Sequence, residues 1–221
     1  MLPAAKGWIR LNPDPNYREA LKHLDQFSHL WLVFVFHENI EQGWHPLITP
    51  PRLDSPGKVG VFASRSPHRP NPIGLSAVKL EKVNFDAEGG IEIEVSGVDL
   101  LDETPILDIK PYLPYVDQIP EAQGGWTESE IPKYPVHFAA EADAQLKEAA
   151  VRNKKWVRNG SLPELLTEIL ELDPRPLSQK KLHPIDSKES ENLPFAFRFL
   201  DFDVRWRIQN SGIFVDELRL I

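Results

Sequence analysis

A mainly β protein with some α, divided into a larger N-terminal part and a smaller C-terminal one, is the expectation from three features. Short strand-like apolar runs recur along the chain, Pro and Gly are spread through its first two-thirds, and a polar stretch rich in breakers, EAQGGWTESEIPKYP (121–135), interrupts it. A boundary there gives domains of residues 1–134 and 135–221. In order, residues 14–28 read as one helix, with Asp14 as cap, Pro15 in the first turn and an apolar stripe of Tyr17, Ala20, Leu21, Leu24 and Phe27. HLWLVFVF (29–36) is a continuous apolar run, the pattern of a strand buried on both faces. IEIEVSGV (91–98) alternates Ile91, Ile93 and Val95 with Glu92 and Glu94, the pattern of a half-exposed strand. Beyond the boundary, residues 138–150 favour a helix with Phe138, Ala142, Leu146 and Ala149 on one face. SLPE (161–164) opens another through a capping box from Ser161 to Glu164, and Asp173-Pro174 stops it. FAFRFLDFDVRWRI (195–208) and IFVDELRLI (213–221) flank QNSG, a hairpin signal. The aromatic phase of the first run changes from odd to even positions, which a bulge or bend near Leu200 would reconcile.

Composition narrows the function classes. At 221 residues with 41% hydrophobic content the chain can build a sizeable core. Zero cysteines exclude disulfides, thiolate metal sites and cysteine nucleophiles. No apolar run reaches the length of a membrane span, and the N-terminus, MLPAAKGWIRL, lacks a secretory signal, so a cytoplasmic protein without a membrane partner is expected. A net charge of −8 argues against a uniformly basic nucleic-acid-binding surface but leaves room for local basic groups. Arg65, His68 and Arg69 form one such group, Arg152, Lys154, Lys155 and Arg158 a second, and Arg175, Lys180 and Lys181 a third.

The common catalytic fingerprints are missing. No glycine-rich phosphate cradle and no nucleophile elbow occur. HENIE (37–41) ends in Glu41 where a zinc helix would need histidine, so hydrolysis at a metal held by His37 and His45 has little support and no metal is expected. Two stretches stand out. ASRSPHRPNPIG (63–74) stiffens a loop with three prolines and loads it with cations between two apolar runs. DLLDETPILDIKPYLPY (99–115) packs Asp99, Asp102, Glu103 and Asp108 among apolar residues close to Lys110, Tyr112 and Tyr115.

Taken together, FSHLWLVFVFH (27–37), GWHPLITPPR (43–52), GVFASRSPHRPNPIGLS (60–76), DLLDETPILDIKPYLPY and DFDVRWRI (201–208) resemble, in order and over nearly the whole chain, the TsaA/TrmO-like family of tRNA adenine methyltransferases. DPRP (173–176) resembles part of that family's C-terminal region. The resemblance implies a β-barrel methyltransferase domain, not a Rossmann sheet, with a small α+β C-terminal domain. It implies S-adenosylmethionine as cofactor, N6-methylation of threonylcarbamoyladenosine 3′ of the anticodon in tRNA, and a homodimer. Cofactor contacts then fall on His37, Glu38, Arg65, Leu75, Asp99, Leu100, Leu101 and Asp102. The chemistry of these residue types agrees with such contacts. An acidic side chain accepts from ribose hydroxyls or an amino group, a guanidinium pairs with a carboxylate, and a leucine lies against an adenine.

For the reaction, the target nitrogen belongs to a urea-like group whose lone pair is delocalised, so a general base is expected, with Asp102 or Asp108 as candidates and Tyr112 as a relay. Arg69, Asn71 and Lys110 are expected to meet the substrate, and Lys154, Lys155 and Arg158, with Arg175, Lys180 and Lys181, to meet tRNA phosphates. One departure stands out: the family's Pro-Arg-Gln element, which contributes to the cofactor pocket, is absent, and GWIR (7–10) runs straight into LNPDPNYREAL. A true loss would favour the alternative of a non-catalytic barrel binding RNA or a small ligand.

Overall fold

A computed structural model describes residues 2–52, 55–153 and 161–221. The chain divides into two compact units, residues 1–50 with 56–125, and residues 51–55 with 126–221. The short segment joins the second unit because Arg52 donates from Nη1 and Nη2 to the carbonyls of Thr127 and Ser129.

The first unit is built on β1 (Lys6–Arg10), β2 (His29–Val35), β5 (Ile73–Ala87), β6 (Gly90–Ser96) and β7 (Ile106–Pro111), in the order β1-β6-β5-β2-β7 with every neighbour antiparallel. Two short strands, β3 (Leu47–Ile48) and β4 (Val59–Gly60), pair with each other apart from this sheet. The expected barrel is not closed: β1 and β7 remain the two edges, and no ladder joins them among the described residues. Just past the end of β1, Leu11 N–H donates to Ile91 O at 3.1 Å.

Antiparallel alternation sends Leu30, Leu32, Val78, Ile93 and Val95 into one core. The expectation that the run 29–36 is buried on both faces is therefore corrected: Trp31, Val33 and Val35 point to the other side and are only half-buried. In register beside them stand Ala77, Leu75 and Ile73 of β5. The helix expected over 14–28 is likewise shorter. It exists as α1 (Tyr17–Ala20), ends before His23 at φ 68°, and resumes as a single 3-10 turn at Leu24–Gln26. Leu21 lies in the core and Leu24 packs against it, and so short a helix has no stability of its own to resist breaking. A further single turn, α2 (Pro114–Asp117), follows β7.

The second unit is a four-stranded sheet of β8 (Val136–Phe138), β9 (Pro194–Phe199), β10 (Phe202–Gln209) and β11 (Gly212–Leu220), ordered β8-β11-β10-β9, with α3 (Ala140–Arg152), α4 (Leu162–Glu171) and α5 (Leu177–Leu182). Ala142, Leu146 and Ala149 of α3 and Leu162, Leu166 and Leu170 of α4 share a core with Val204, Trp206, Ile208, Ile213 and Val215 of the sheet. Phe138, expected on α3, belongs instead to β8. Ser161 Oγ accepts from Glu164 N–H at 3.3 Å, and Asp173 takes φ 52° where α4 has ended, so the start and stop signals hold. Asn210 and Ser211, both at positive φ, form the two-residue turn between β10 and β11. Of the bulge or bend expected near Leu200 the structure has the bend, and a sharp one: Leu200 and Asp201 form a second tight turn, and the two aromatic phases belong to different strands.

Candidate functional site

The C-terminal end of β2 opens into a cleft of about 210 Å³. Its walls come from three separate stretches: Phe34–Asn39 where β2 becomes a 3-10 turn, Pro67 of the proline-rich loop, and Asp99–Leu101 with Thr104 between β6 and β7. His37, Glu38, Asp99, Leu100 and Leu101, five of the expected cofactor residues, meet here. The other three, Arg65, Leu75 and Asp102, are not among its lining residues. Asp102 is exposed beside Leu101, and Leu75 lies on the outer row of β5 opposite Val33.

Each wall is held by a local cause. Asp99 accepts from Ser76 Oγ at 2.7 Å, so a buried hydroxyl on β5 fixes one carboxylate oxygen and leaves the other to the cleft. Thr104 Oγ1 donates to Leu101 O at 2.7 Å and tightens the same loop. Glu38 Oε1 sits 3.3 Å from His37 Nε2, an ion pair whenever the imidazole is protonated. Phe34 meets Phe36 edge-on at 5.1 Å and packs against Gly74, where a Cβ would lie 2.2 Å from its ring. Only glycine admits this approach, which explains a glycine at the second position of β5, directly opposite Phe34. Ser76, Asn39, Pro67 and Thr104 are not legible in the sequence as site residues. Asn39, two positions after His37, carries a weak signal in the HEN turn, whereas Ser76 reads as an ordinary strand serine.

The remaining expected residues are placed more variously. Arg65 is exposed and makes no hydrogen bond or ion pair among the described residues. Arg69 turns back into its own loop, with Nη1 donating to Val61 O at 3.1 Å and Ser64 O at 2.7 Å. Asn71 O accepts from Ile73 N–H at 2.7 Å, forming the tight turn that starts β5. Asp108 and Lys110 pair with one another at 2.6 Å on the outer edge of the sheet. That ammonium, with help from Ile109 N–H, holds the Asp108 carboxyl below its usual range, against a smaller opposing effect of burial. Tyr112 packs against Trp31 at 5.5 Å and His29 at 6.4 Å. His45, considered for a metal, lies beside His68 with ring centroids 5.2 Å apart.

Arg175 requires a correction. Expected among the phosphate-binding cations, it is buried in the second unit. Its Nε and Nη2 form a fork on Asp173 at 2.8 Å each, Nη1 donates to His183 O at 2.8 Å, and the guanidinium lies 4.7 Å from the Phe195 ring. An arginine can be buried only with such partners, and these leave it no contact for RNA. Lys154, Lys155 and Arg158 lie outside the described residues.

Two family models match the chain, the tRNA-methyltransferase O N-terminal domain over residues 1–118 and the TrmO C-terminal domain over residues 131–221. A tRNA (adenine(37)-N6)-methyltransferase of Escherichia coli K12 is 37% identical over 213 residues, covering 96% of this chain and 85% of that protein. A putative S-adenosylmethionine-dependent methyltransferase, RcsF, of Pseudomonas aeruginosa is 39% identical over 206 residues, 93% of this chain and 81% of its own. The crystal structure of a TrmO from Pseudomonas aeruginosa superposes with a TM-score of 0.71 at 34% identity, covering 98% of this chain and 85% of that one.

Proposed function

Because the chain belongs to the TrmO family of tRNA methyltransferases, we propose that the cleft at the end of β2 binds S-adenosylmethionine and that the protein methylates N6 of adenosine 37 in tRNA. The observation that carries this reading is the convergence of His37, Glu38 and Asp99–Leu101 from distant stretches on one cleft. The residues present suit the cofactor: Phe34, Leu100 and Leu101 offer apolar walls to an adenine, while Asp99 and Glu38 are acceptors for hydroxyl and ammonium groups. Arg65, without a protein partner among the described residues, pairs with the carboxylate of the methionine moiety. The enzymatic reading displaces the non-catalytic alternative.

When bound, the cofactor supplies an electrophilic methyl carbon and a thioether leaving group. The chain's own part is to align the acceptor nitrogen and to take its proton. Asp102, exposed beside the cleft loop, is the stronger candidate for the base. Asp108 is already committed to Lys110, which lowers its basicity. Tyr112 acts as the relay next to Lys110, and Lys110 and Asn71 orient the substrate. The acceptor is the threonylcarbamoylated adenosine. Lys154, Lys155, Arg158 and the exposed Lys181 of the C-terminal domain, residues 135–221, bind tRNA phosphates, while residues 1–134 hold the cofactor.

The protein acts in the cytoplasm as a homodimer. No helix among the described residues is long and apolar enough to cross a membrane. The half-exposed outer row of Val33, Ile73 and Leu75 is the apolar surface that a second copy would cover. Methyl transfer from labelled S-adenosylmethionine to tRNA, with and without prior threonylcarbamoylation, tests the reading. Incorporation only into the modified tRNA is expected. Cofactor binding without incorporation into either tRNA would overturn the substrate, and no cofactor binding would overturn the site.

A further inference from the structure

The proline-rich loop and the turn before it hold an aromatic side chain that the cleft does not use. Phe62 is 76% exposed although its backbone is rigid. It sits in a 3-10 turn, Val61–Ala63, whose first residue is buried and donates from its N–H to Pro46 O at 3.0 Å. Ser64 closes the turn with two bonds to Val61 O, from N–H at 3.2 Å and from Oγ at 2.8 Å. The Arg69 guanidinium lies 5.8 Å from the Phe62 ring and is itself fixed by its two carbonyl bonds. The ring is thus presented outward from a hydrogen-bonded turn. A single exposed phenylalanine is common on protein surfaces, so its surroundings decide its meaning.

Those surroundings are cationic and adjoin the cleft. From Ser55 to Val78 the chain carries Lys58, Arg65 and Arg69 and not one acidic residue, although acids make up 33 of its 221 residues, about one in seven. Pro67 lines the cleft, and the five residues from it to Phe62 can span at most about 17 Å. The other limb returns to the same place. His37–Asn39 line the cleft and lead to Trp44 and His45, and His45 N–H donates to His68 O at 3.2 Å. Whatever enters the cleft therefore has its neighbouring groups within reach of the Phe62 ring.

We propose that Phe62 is a stacking platform for an unpaired nucleotide flanking the adenosine to be methylated, in a flap formed by β3, β4 and the loop up to Arg69. The inference rests on the tRNA reading above and deepens it. An aromatic face accepts any base, and the acid-free cationic loop attracts phosphates, so the two features together suit single-stranded RNA. A second copy of this chain is a poorer occupant, because two such flaps would bring like charges together.

The test compares Phe62→Ala, Phe62→Leu and Phe62→Trp in the full chain, measuring tRNA affinity, salt dependence, cofactor affinity and sedimentation. Loss of stacking is expected to weaken tRNA binding on the order of tenfold in the alanine and leucine variants, with tryptophan restoring it. Cofactor affinity and the slope of log affinity against log salt are expected to stay as in wild type, since no charge is removed. A further measurement needs no variant: 2-aminopurine beside the target adenosine is expected to change its fluorescence on binding the wild-type protein. Wild-type tRNA affinity in the leucine variant, or no 2-aminopurine response, overturns the proposal while leaving the methyltransferase reading intact. Loss of self-association in the variants instead assigns the flap to a protein interface and overturns it too. Failure of wild-type protein to bind or methylate tRNA removes both readings.

Discussion

Two arginines in proline-containing stretches, one in each unit, have opposite fates. In SRSPHRP, Arg65 is exposed and unpaired among the described residues. In DPRP, Arg175 is buried on Asp173 and walled by Phe195. Prolines stand directly on both sides of Arg175, whereas Arg65 lies between two serines with Pro67 two residues on. The difference lies in what the neighbouring chain supplies: an aspartate two residues earlier with a left-handed φ of 52°, and a sheet with aromatic side chains, against a loop without any acid. Nearby proline does not by itself decide where a guanidinium goes. Whether it is fixed for the core or for a ligand depends on partners elsewhere.

Arg175 is where this contrast carries the largest consequence. Arg175→Ala strands a buried carboxylate and should cost about 3–5 kcal/mol, seen as a lower urea midpoint, and Arg175→Lys should not restore it because an ammonium cannot replace the fork. Next comes Gly74→Ala, which drives a methyl group into Phe34 and should cost about 1–3 kcal/mol together with weaker cofactor binding by titration calorimetry. If Gly74→Ala lowered stability but left cofactor affinity untouched, Phe34 would not shape the cleft.

A third effect belongs to the first unit's sheet. Glu81 accepts from Ser96 Oγ at 2.6 Å and from Lys6 and Lys79, and these bonds, the serine's foremost, lower its pKa from 4.5 to about 2 despite some opposing desolvation. A depressed carboxyl contributes stability that is complete above 4.5 and fades as pH falls towards 2. Glu81→Gln should flatten acid unfolding in that window, and an unchanged profile would assign the acid sensitivity to other groups. The smallest stability effect is expected from Arg65→Ala, within about 0.5 kcal/mol. Its expected loss is in cofactor affinity, so a variant of normal stability and normal affinity would remove Arg65 from the site.

Legibility in the sequence follows the range of the forces involved. The Ser161 cap, the stop at Asp173 and the Asn210-Ser211 turn depend on neighbours within four residues, and all three are where local chemistry puts them. The apolar stripe over 14–28 does not make one helix, because Leu21 and Leu24 need only single turns to reach the sheet. The run 29–36 misleads for a related reason: a face apolar enough for burial is only half covered. In the site, His37, Glu38 and Asp99–Leu101 are marked by family resemblance. Ser76, which orients Asp99 across 23 positions of sequence, has no local mark at all.

Near-neighbour chemistry in the chain was enough for the mainly β character, the Ser161 cap, the stop at Asp173, the Asn210-Ser211 turn and the stiff cationic loop, because caps and turns act over a few residues, while the ordered motifs carried the resemblance to the family. Three things required the folded chain: that Arg175 is a core residue, that the first sheet keeps two open edges, and that Phe34, Pro67 and Asp99 wall one cleft. Burial and convergence depend on which distant strands pair. That pairing is set by the summed packing of the whole chain, which no single stretch encodes.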